Sequence, residues 1–267
     1  MKKTVILLFL IVGLFGCAPK KPAVIQTAPT AVTFDKFPVL EYHLIGRPEG
    51  RWQRTPENFK KDVEWLYANN YYPMNLRDIL DGFGGVPAGK KPVIITFDDS
   101  TGGQFRYLPD GELDPDSAAG VLKRFHDQHP DWPLRATFFV LIETNDPEHN
   151  LFGQPDLAAR KLRQLAEWGM EIGAHTYSHD RLDKISAAAA RRSIGRELAT
   201  LTKFVSRETV SLSLPEGKYP KDLSVLGGFK LVVEVAGGMN LVKFDPLHIK
   251  RIQAIDDEWR KYFGRHL

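Results

Sequence analysis

The chain has 267 residues, 36 basic against 33 acidic side chains for a formal charge of +3, and a hydrophobic fraction of 43%. That apolar content excludes a disordered chain, and the nearly balanced charge excludes a strongly basic nucleic-acid binder. The single cysteine excludes an internal disulfide framework and a cysteine-built zinc cage, so any metal site must be made of His and carboxylates. The length suits one large domain or two small ones.

Met1-Lys2-Lys3 precede an apolar run from Val5 to Phe15, followed by Gly16-Cys17. Two lysines and about a dozen apolar residues read as a secretory signal over residues 1–16, too short to span a bilayer core of about 30 Å. Leu14-Phe15-Gly16-Cys17 resembles the bacterial lipobox, which implies lipidation of Cys17 as the new N-terminus. The expected location is then the bacterial cell envelope, anchored by lipid; in a Gram-negative source Ala18 favours the outer membrane over the inner one. Residues 17–36, rich in Pro, Ala, Thr and Lys, read as a flexible tether, and residues 37–267 as a single domain.

From Phe37 onward strand and helix patterns alternate. Pro38 to His43 predicts a strand; Thr55 caps a helix with Pro56 at its first position and Phe59, Val63 and Leu66 as its buried stripe. Pro92 to Phe97 and Ala136 to Ile142 are continuous apolar runs of the kind buried on both faces. Thr101 to Asp116 reads as a Gly/Pro/Asp-rich loop inserted beside the site. Leu157 to Trp168 predicts an amphipathic helix leading into a strand from Met170 to Ala174. Ser186 caps a helix running to about Val205, and Val210 to Leu214 and Leu231 to Val235 complete the strands. Such alternation implies a parallel α/β architecture, and periodicity leaves a (β/α) barrel and a doubly wound sheet equally open.

Two polar clusters follow buried strands, at the edge where parallel α/β folds gather their ligands: Thr96-Phe97-Asp98-Asp99-Ser100 and His175-Thr176-Tyr177-Ser178-His179. Adjacent carboxylates repel unless a cation or a shared proton intervenes. Two imidazoles and a carboxylate form a common catalytic zinc environment, so Asp99, His175 and His179 are the candidate ligands and Asp98 is left to act as a base. Gly173 marks a close backbone approach just before the His pair.

These residues resemble the polysaccharide deacetylases with the NodB homology domain, carbohydrate esterase family 4. Thr96 to Asp99 is similar to their first motif and His175 to His179 to their second, with Gly169 to Gly173 as its lead-in. Arg135 to Val140 resembles the strand between those motifs. Pro38 to His43 resembles the opening strand of deacetylases of exported poly-N-acetylglucosamine. The resemblance covers Phe37 to Ile255. It implies a distorted (β/α) barrel, Asp98 as catalytic base, Asp99, His175 and His179 as metal ligands, and Thr176 as the hydroxyl that steadies the His loop. The divalent metal is expected to be zinc, with cobalt, nickel or manganese as alternatives.

The third motif of the family, Arg-x-Pro-Tyr-Gly, aligns with Ser213-Leu214-Pro215-Glu216-Gly217, so Ser213 stands where the family places an Arg and Glu216 where it places a Tyr. Glu216 keeps a backbone N–H for an oxyanion, provided its carboxylate turns outward. Leu247-His248 resembles the late Leu-x-His motif, making His248 a candidate acid; an equally good alignment puts Ile249 to Ile252 on the terminal strand and His248 on its flank. His43, at a strand end, reads first as a structural histidine. His126, His129, His149 and His266 read as solvent-exposed. The function implied is removal of N-acetyl groups from an N-acetylglucosamine-containing envelope or extracellular polysaccharide, with no nucleic-acid partner. A non-catalytic polysaccharide-binding lipoprotein that keeps the metal and an O-acetyl carbohydrate esterase are the competing readings.

Overall fold

The structure, a computed structural model, describes residues 34–265. The expected signal segment, Cys17, nearly all of the tether and His266 lie outside the described residues. Contacts of the fold begin at Phe34, whose ring meets Phe83 edge-on at 5.3 Å, and Lys36–Phe37 pairs antiparallel with Asn240–Leu241.

Eight parallel strands carry the domain: β1 (Val39–Tyr42), β2 (Tyr71–Met74), β3 (Lys91–Phe97), β4 (Thr137–Val140), β5 (Glu171–Ala174), β6 (Ser211–Ser213), β7 (Leu231–Gly237) and β8 (Ile249–Gln253). Seven of them close a barrel in the order β1-β8-β7-β6-β5-β4-β3, with β3 returning to β1 through Val39↔Ile94 to Tyr42↔Phe97. β2 pairs with the first half of β3, Tyr71↔Lys91 to Met74↔Ile94. The barrel resolves the choice that periodicity leaves open and agrees with the fold the resemblance implies. Around it lie α1 (Pro56–Ala68), α2 (Ala118–Gln128), α3 (Ala158–Glu167), α4 (Ala187–Leu201) and α5 (Asp256–Phe263).

Local chemistry explains the boundaries. The Thr55 hydroxyl accepts from Asn58 N–H, Pro56 sits at the first helical position of α1, and Phe59, Val63 and Leu66 are buried as the stripe requires. Ser186 caps α4 by accepting from Ala189 N–H. β3 is buried along almost its whole length because both faces are covered: Val93, Ile95 and Phe97 join the cluster beneath the helices, and Ile94 joins Val39, Phe139, Leu231, Val233 and Ile249 in the interior cluster. Phe139 finds room only because residue 173 is glycine, where a Cβ would lie 2.5 Å from its ring.

Polar groups lie on both sides of that apolar layer. At the amino ends of β4, β5 and β6, Glu171 accepts from Thr137 Oγ1 (2.9 Å), Ser211 Oγ (2.7 Å) and Arg77 N–H (2.7 Å), so its buried carboxyl is hydrogen-bonded on both oxygens. Toward the carboxyl ends the interior becomes ionic and opens into the functional cavity.

Candidate active site

A cavity of about 480 Å³ at the carboxyl ends of the strands is lined by His43, Leu44, Arg51, Trp52, Asp98, Asp99, His149, His175, His179, Glu216 and Val235. Each polar cluster enters it by the same device. Past the end of β3 the backbone turns left-handed at Asp99 (φ +73°) and Ser100 (φ +42°); past β5 it does so at Thr176 (φ +66°) and His179 (φ +60°). These conformations are costly for non-glycine residues and are held by side chains around them. Ser100 Oγ donates to His149 O (2.8 Å) and accepts from Leu141 N–H (2.9 Å). Thr176 Oγ1 accepts from Asp180 N–H across the turn (2.6 Å). Buried Glu197 on α4 accepts from His175 N–H at 2.7 Å, a brace with no signature in the sequence.

Asp99, His175 and His179 converge. His175 Nε2 lies 3.3 Å from Asp99 Oδ1 and His179 Nε2 lies 3.6 Å from the same oxygen; one ligand atom from each residue falls within 4.8 Å of the others. His175 Nδ1 sits 2.9 Å from Ser213 O; a carbonyl only accepts, so Nδ1 carries the proton and Nε2 faces the cavity. Asp99 Oδ1 and His175 Nε2 are both buried without a hydrogen-bond partner, which leaves donor atoms aimed at a common point. A carboxylate and two imidazoles with an open side fit a divalent cation. In its absence burial would lower the basicity of His175, but Asp98 and Asp99 outweigh it and raise its pKa to about 9.

Asp98 is different: it is buried and its oxygens are occupied. Arg251 on β8 donates to both of them at 2.7 Å, and Ser213 Oγ donates to Oδ2 at 2.8 Å. Burial alone would raise its pKa; the Arg251 guanidinium, with His175 behind it, holds it well below the usual carboxylate range. Arg251 Nη2 also donates to Ser213 Oγ at 3.0 Å and to Glu41 Oε1 at 3.1 Å. The guanidinium absent from position 213 is thus supplied from a strand two places round the barrel, and the small serine leaves it the space. Burial raises Glu41 to about 8 in spite of Arg251, so near neutral pH Arg251 faces one ionised carboxylate, Asp98, and one largely protonated partner. Glu41, His43 and Asp98 also cluster with metal-ligand spacing, but a guanidinium bonded to both carboxyls already supplies the positive charge there.

His43 Nε2 approaches Asp98 Oδ2 at 4.0 Å and Glu41 Oε1 at 3.7 Å, and its ring lines the cavity; burial lowers its pKa. The structural reading of this histidine gives way to a cavity-facing one. His248 goes the other way. Its ring is half exposed, stacks on Tyr219 at 4.7 Å, meets Glu234 at 3.1 Å and lies outside the cavity wall, because it precedes β8 and so sits at the amino end of that strand. His149, which reads from the sequence as solvent-exposed, is part-buried and lines the cavity, brought there by a loop with no strand pattern to reveal it. Glu216 (φ +53°) is on the cavity wall with its carboxylate turned to Arg181 at 2.5 Å, and Arg181 is held in turn by Asp183. The loop Thr101–Asp116 contributes nothing to the cavity lining. It braces the site from behind: Gln104 donates to His43 O at 2.7 Å and to Asp98 O, and Gly103 lies so close to Ile45 O that a Cβ would stand 1.9 Å away.

A profile of the family described as "Polysaccharide deacetylase" matches residues 85–227, more than half of the chain and inclusive of Asp98, Asp99, His175, His179 and Ser213. The chain belongs to the polysaccharide deacetylase family. Among solved structures, the Streptococcus pyogenes deacetylase PplD in complex with acetate superposes with a TM-score of 0.63 at 19% identity, covering 82% of this chain and 92% of that one. IcaB from Ammonifex degensii gives 0.64 at 19% identity over 85% and 95%. BA0330 from Bacillus anthracis, described as a putative polysaccharide deacetylase, gives 0.64 at 19% identity over 83% of this chain and 66% of its own. At such identities the likeness establishes the barrel. No curated protein matches the sequence. Arg251 and His43 lie outside the matched segment, so two of the ionisable groups around Asp98 come from β8 and the end of β1, beyond the residues the profile matches.

Proposed function

We propose that this member of the family is a metal-dependent hydrolase that removes N-acetyl groups from an N-acetylglucosamine-containing polysaccharide of the cell envelope or outside it. The observation that carries the reading is the pairing of three convergent donor atoms, two of them buried without partners, with a carboxylate held ionised by Arg251.

Asp99, His175 and His179 would hold the cation, zinc by the chemistry of the set, which when bound supplies an acidified water and polarises a carbonyl. Asp98 takes the proton of the water that attacks the acetyl carbon; being ionised at neutral pH, it is ready to accept it. The backbone N–H of Glu216 is offered to the developing oxyanion, and Arg181 keeps the Glu216 carboxylate from opposing that charge. As the C–N bond breaks, the nitrogen leaves as a free amine and needs one proton. His43, a neutral imidazole whose Nε2 stands 4.0 Å from Asp98 Oδ2 and apart from the three ligands, is placed to pass the proton that Asp98 has taken from the water to that nitrogen, which returns Asp98 to its ionised form. Acetate and the amino sugar are the products. Export and lipid anchoring through Cys17 belong to the same reading and rest on the Leu14–Cys17 segment.

Acetate release from N-acetylglucosamine oligomers is the direct test. The metal-loaded protein is expected to release acetate, and Asp98→Asn to lose at least about a hundredfold in rate. Equal background from both proteins would overturn the enzyme reading, and preference for O-acetylated sugars would redirect it to an esterase.

A further inference from the structure

One side of the cavity departs from the ionic character of its floor. Trp52 is 41% exposed, among the few large apolar side chains left open to water, and it lines the cavity together with Leu44 and Val235. Its position is built. Leu44 N–H donates to Trp52 O at 2.9 Å, and Gly50 and Gln53 exchange backbone bonds at 2.8 and 3.2 Å. Gln53 Nε2 donates to Pro48 O at 2.7 Å. The Glu49 carboxylate ties the loop to α1 through Thr55 N–H (2.8 Å), Asn58 Nδ2 (3.0 Å) and Arg54 (2.7 Å). An indole gains nothing from being held rigidly in water; a rigid, half-open aromatic surface is a prepaid binding surface.

The neighbours indicate what it binds. The His43 ring stands between floor and wall: its centroid is 4.7 Å from that of Trp52 and its Nε2 is 4.0 Å from Asp98. The Arg51 guanidinium lies over the indole ring, 5.1 Å from its centroid, and, among the described residues, forms no ion pair. A pyranose ring offers an apolar C–H face to an aromatic surface and hydroxyls to a guanidinium at its edge. We propose that Trp52, flanked by Leu44 and Val235 and carrying the Arg51 guanidinium over one part of its ring, is a saccharide-stacking platform for the sugar next to the one whose acetamido group reaches Asp98. The proposal rests on the deacetylase reading above and deepens it: the substrate is an oligomer or polymer spanning both places, not a free N-acetylhexosamine.

The test compares the full chain with Trp52→Ala and Trp52→Phe on N-acetylglucosamine oligomers of two to five units, in β-1,4 and β-1,6 linkage, and on 4-nitrophenyl acetate. Trp52→Ala is expected to raise KM for the pentamer about tenfold, with a smaller change in kcat, a loss that shrinks as the oligomer shortens and is least on the ester. Trp52→Phe recovers most of the pentamer affinity. The same factor lost on pentamer and ester would overturn the proposal and leave Trp52 as a brace for His43; so would an unchanged KM. Calorimetric binding of the pentamer to Asp98→Asn, with and without Trp52→Ala, separates the two readings. Binding that depends on Trp52 with no acetate released by the wild type sinks the enzyme and keeps the platform. Acetate release with binding indifferent to Trp52 does the reverse.

Discussion

Asp98 has both oxygens out of water, and only a permanent, well-placed cation keeps such a carboxylate ionised. Arg251 meets it in a fork of two 2.7 Å bonds that a lysine cannot reproduce. Arg251→Gln therefore has a signed consequence. Without the guanidinium the Asp98 pKa rises toward and beyond the ordinary carboxylate value, the fraction able to accept a proton falls at low pH, and the acid limb of the rate profile moves to higher pH. Acetate release at neutral pH should drop about a hundredfold, and denaturation should show a loss of about 3–5 kcal/mol for the unpaired buried charge. A variant whose acid limb stays where it was would show that Arg251 does not set the ionisation of Asp98. Moving the guanidinium back, with Ser213→Arg and Arg251→Ser together, should recover part of the rate, since both side chains reach Asp98 Oδ2.

At the scale of elements the site is a set of strand ends followed by left-handed turns, and this decides what could be read beforehand. Asp98-Asp99 and His175 to His179 each follow an apolar run directly, so chemistry and placement are both written in contiguous residues. Arg251 stands 153 residues from Asp98 within Ile-Lys-Arg-Ile, where an inward arginine and a surface one look alike. β8 parallel beside β1 makes the difference, and that adjacency is a property of barrel closure. His149 is hidden for a related reason: it is delivered by a segment whose shape comes from tertiary bonds, with Leu151 and Phe152 at φ +46° and +71°. Lys161 on α3 is buried beneath that segment and donates to Phe152 O at 2.7 Å. Burial lowers its pKa from 10.5 to about 7. Between those values the unfolded chain binds the proton that the folded chain has shed, so Lys161 makes stability rise with pH from about 7 to about 10.5. Lys161→Met should flatten that rise relative to the wild type in denaturation followed across this range. It also leaves the Phe152 carbonyl unpaired and should speed hydrogen exchange around residues 149–153. An unchanged slope would mean that the amine stays charged in the fold.

The whole molecule has a direction. The chain enters the barrel at the amino ends of the strands, where Phe34 meets Phe83 and Lys36–Phe37 pairs with Asn240–Leu241, while the cavity opens at the carboxyl ends. The sixteen residues from Ala18 to Thr33 could extend to no more than roughly 55 Å, at about 3.3–3.6 Å per residue. If Cys17 is lipidated, as proposed, that length bounds how far from the membrane surface the cavity reaches polymer. Cys17→Ser should move the protein from the membrane to the soluble fraction and end incorporation of labelled palmitate, with acetate release from soluble oligomers retained. Deleting residues 20–30 should keep palmitate and membrane fractionation and keep activity on soluble oligomers, yet lower the deacetylation of polymer in intact cells. Palmitate incorporation that survives Cys17→Ser would refute the anchor. Equal polymer deacetylation with and without residues 20–30 would show that the reach of the tether does not limit the enzyme.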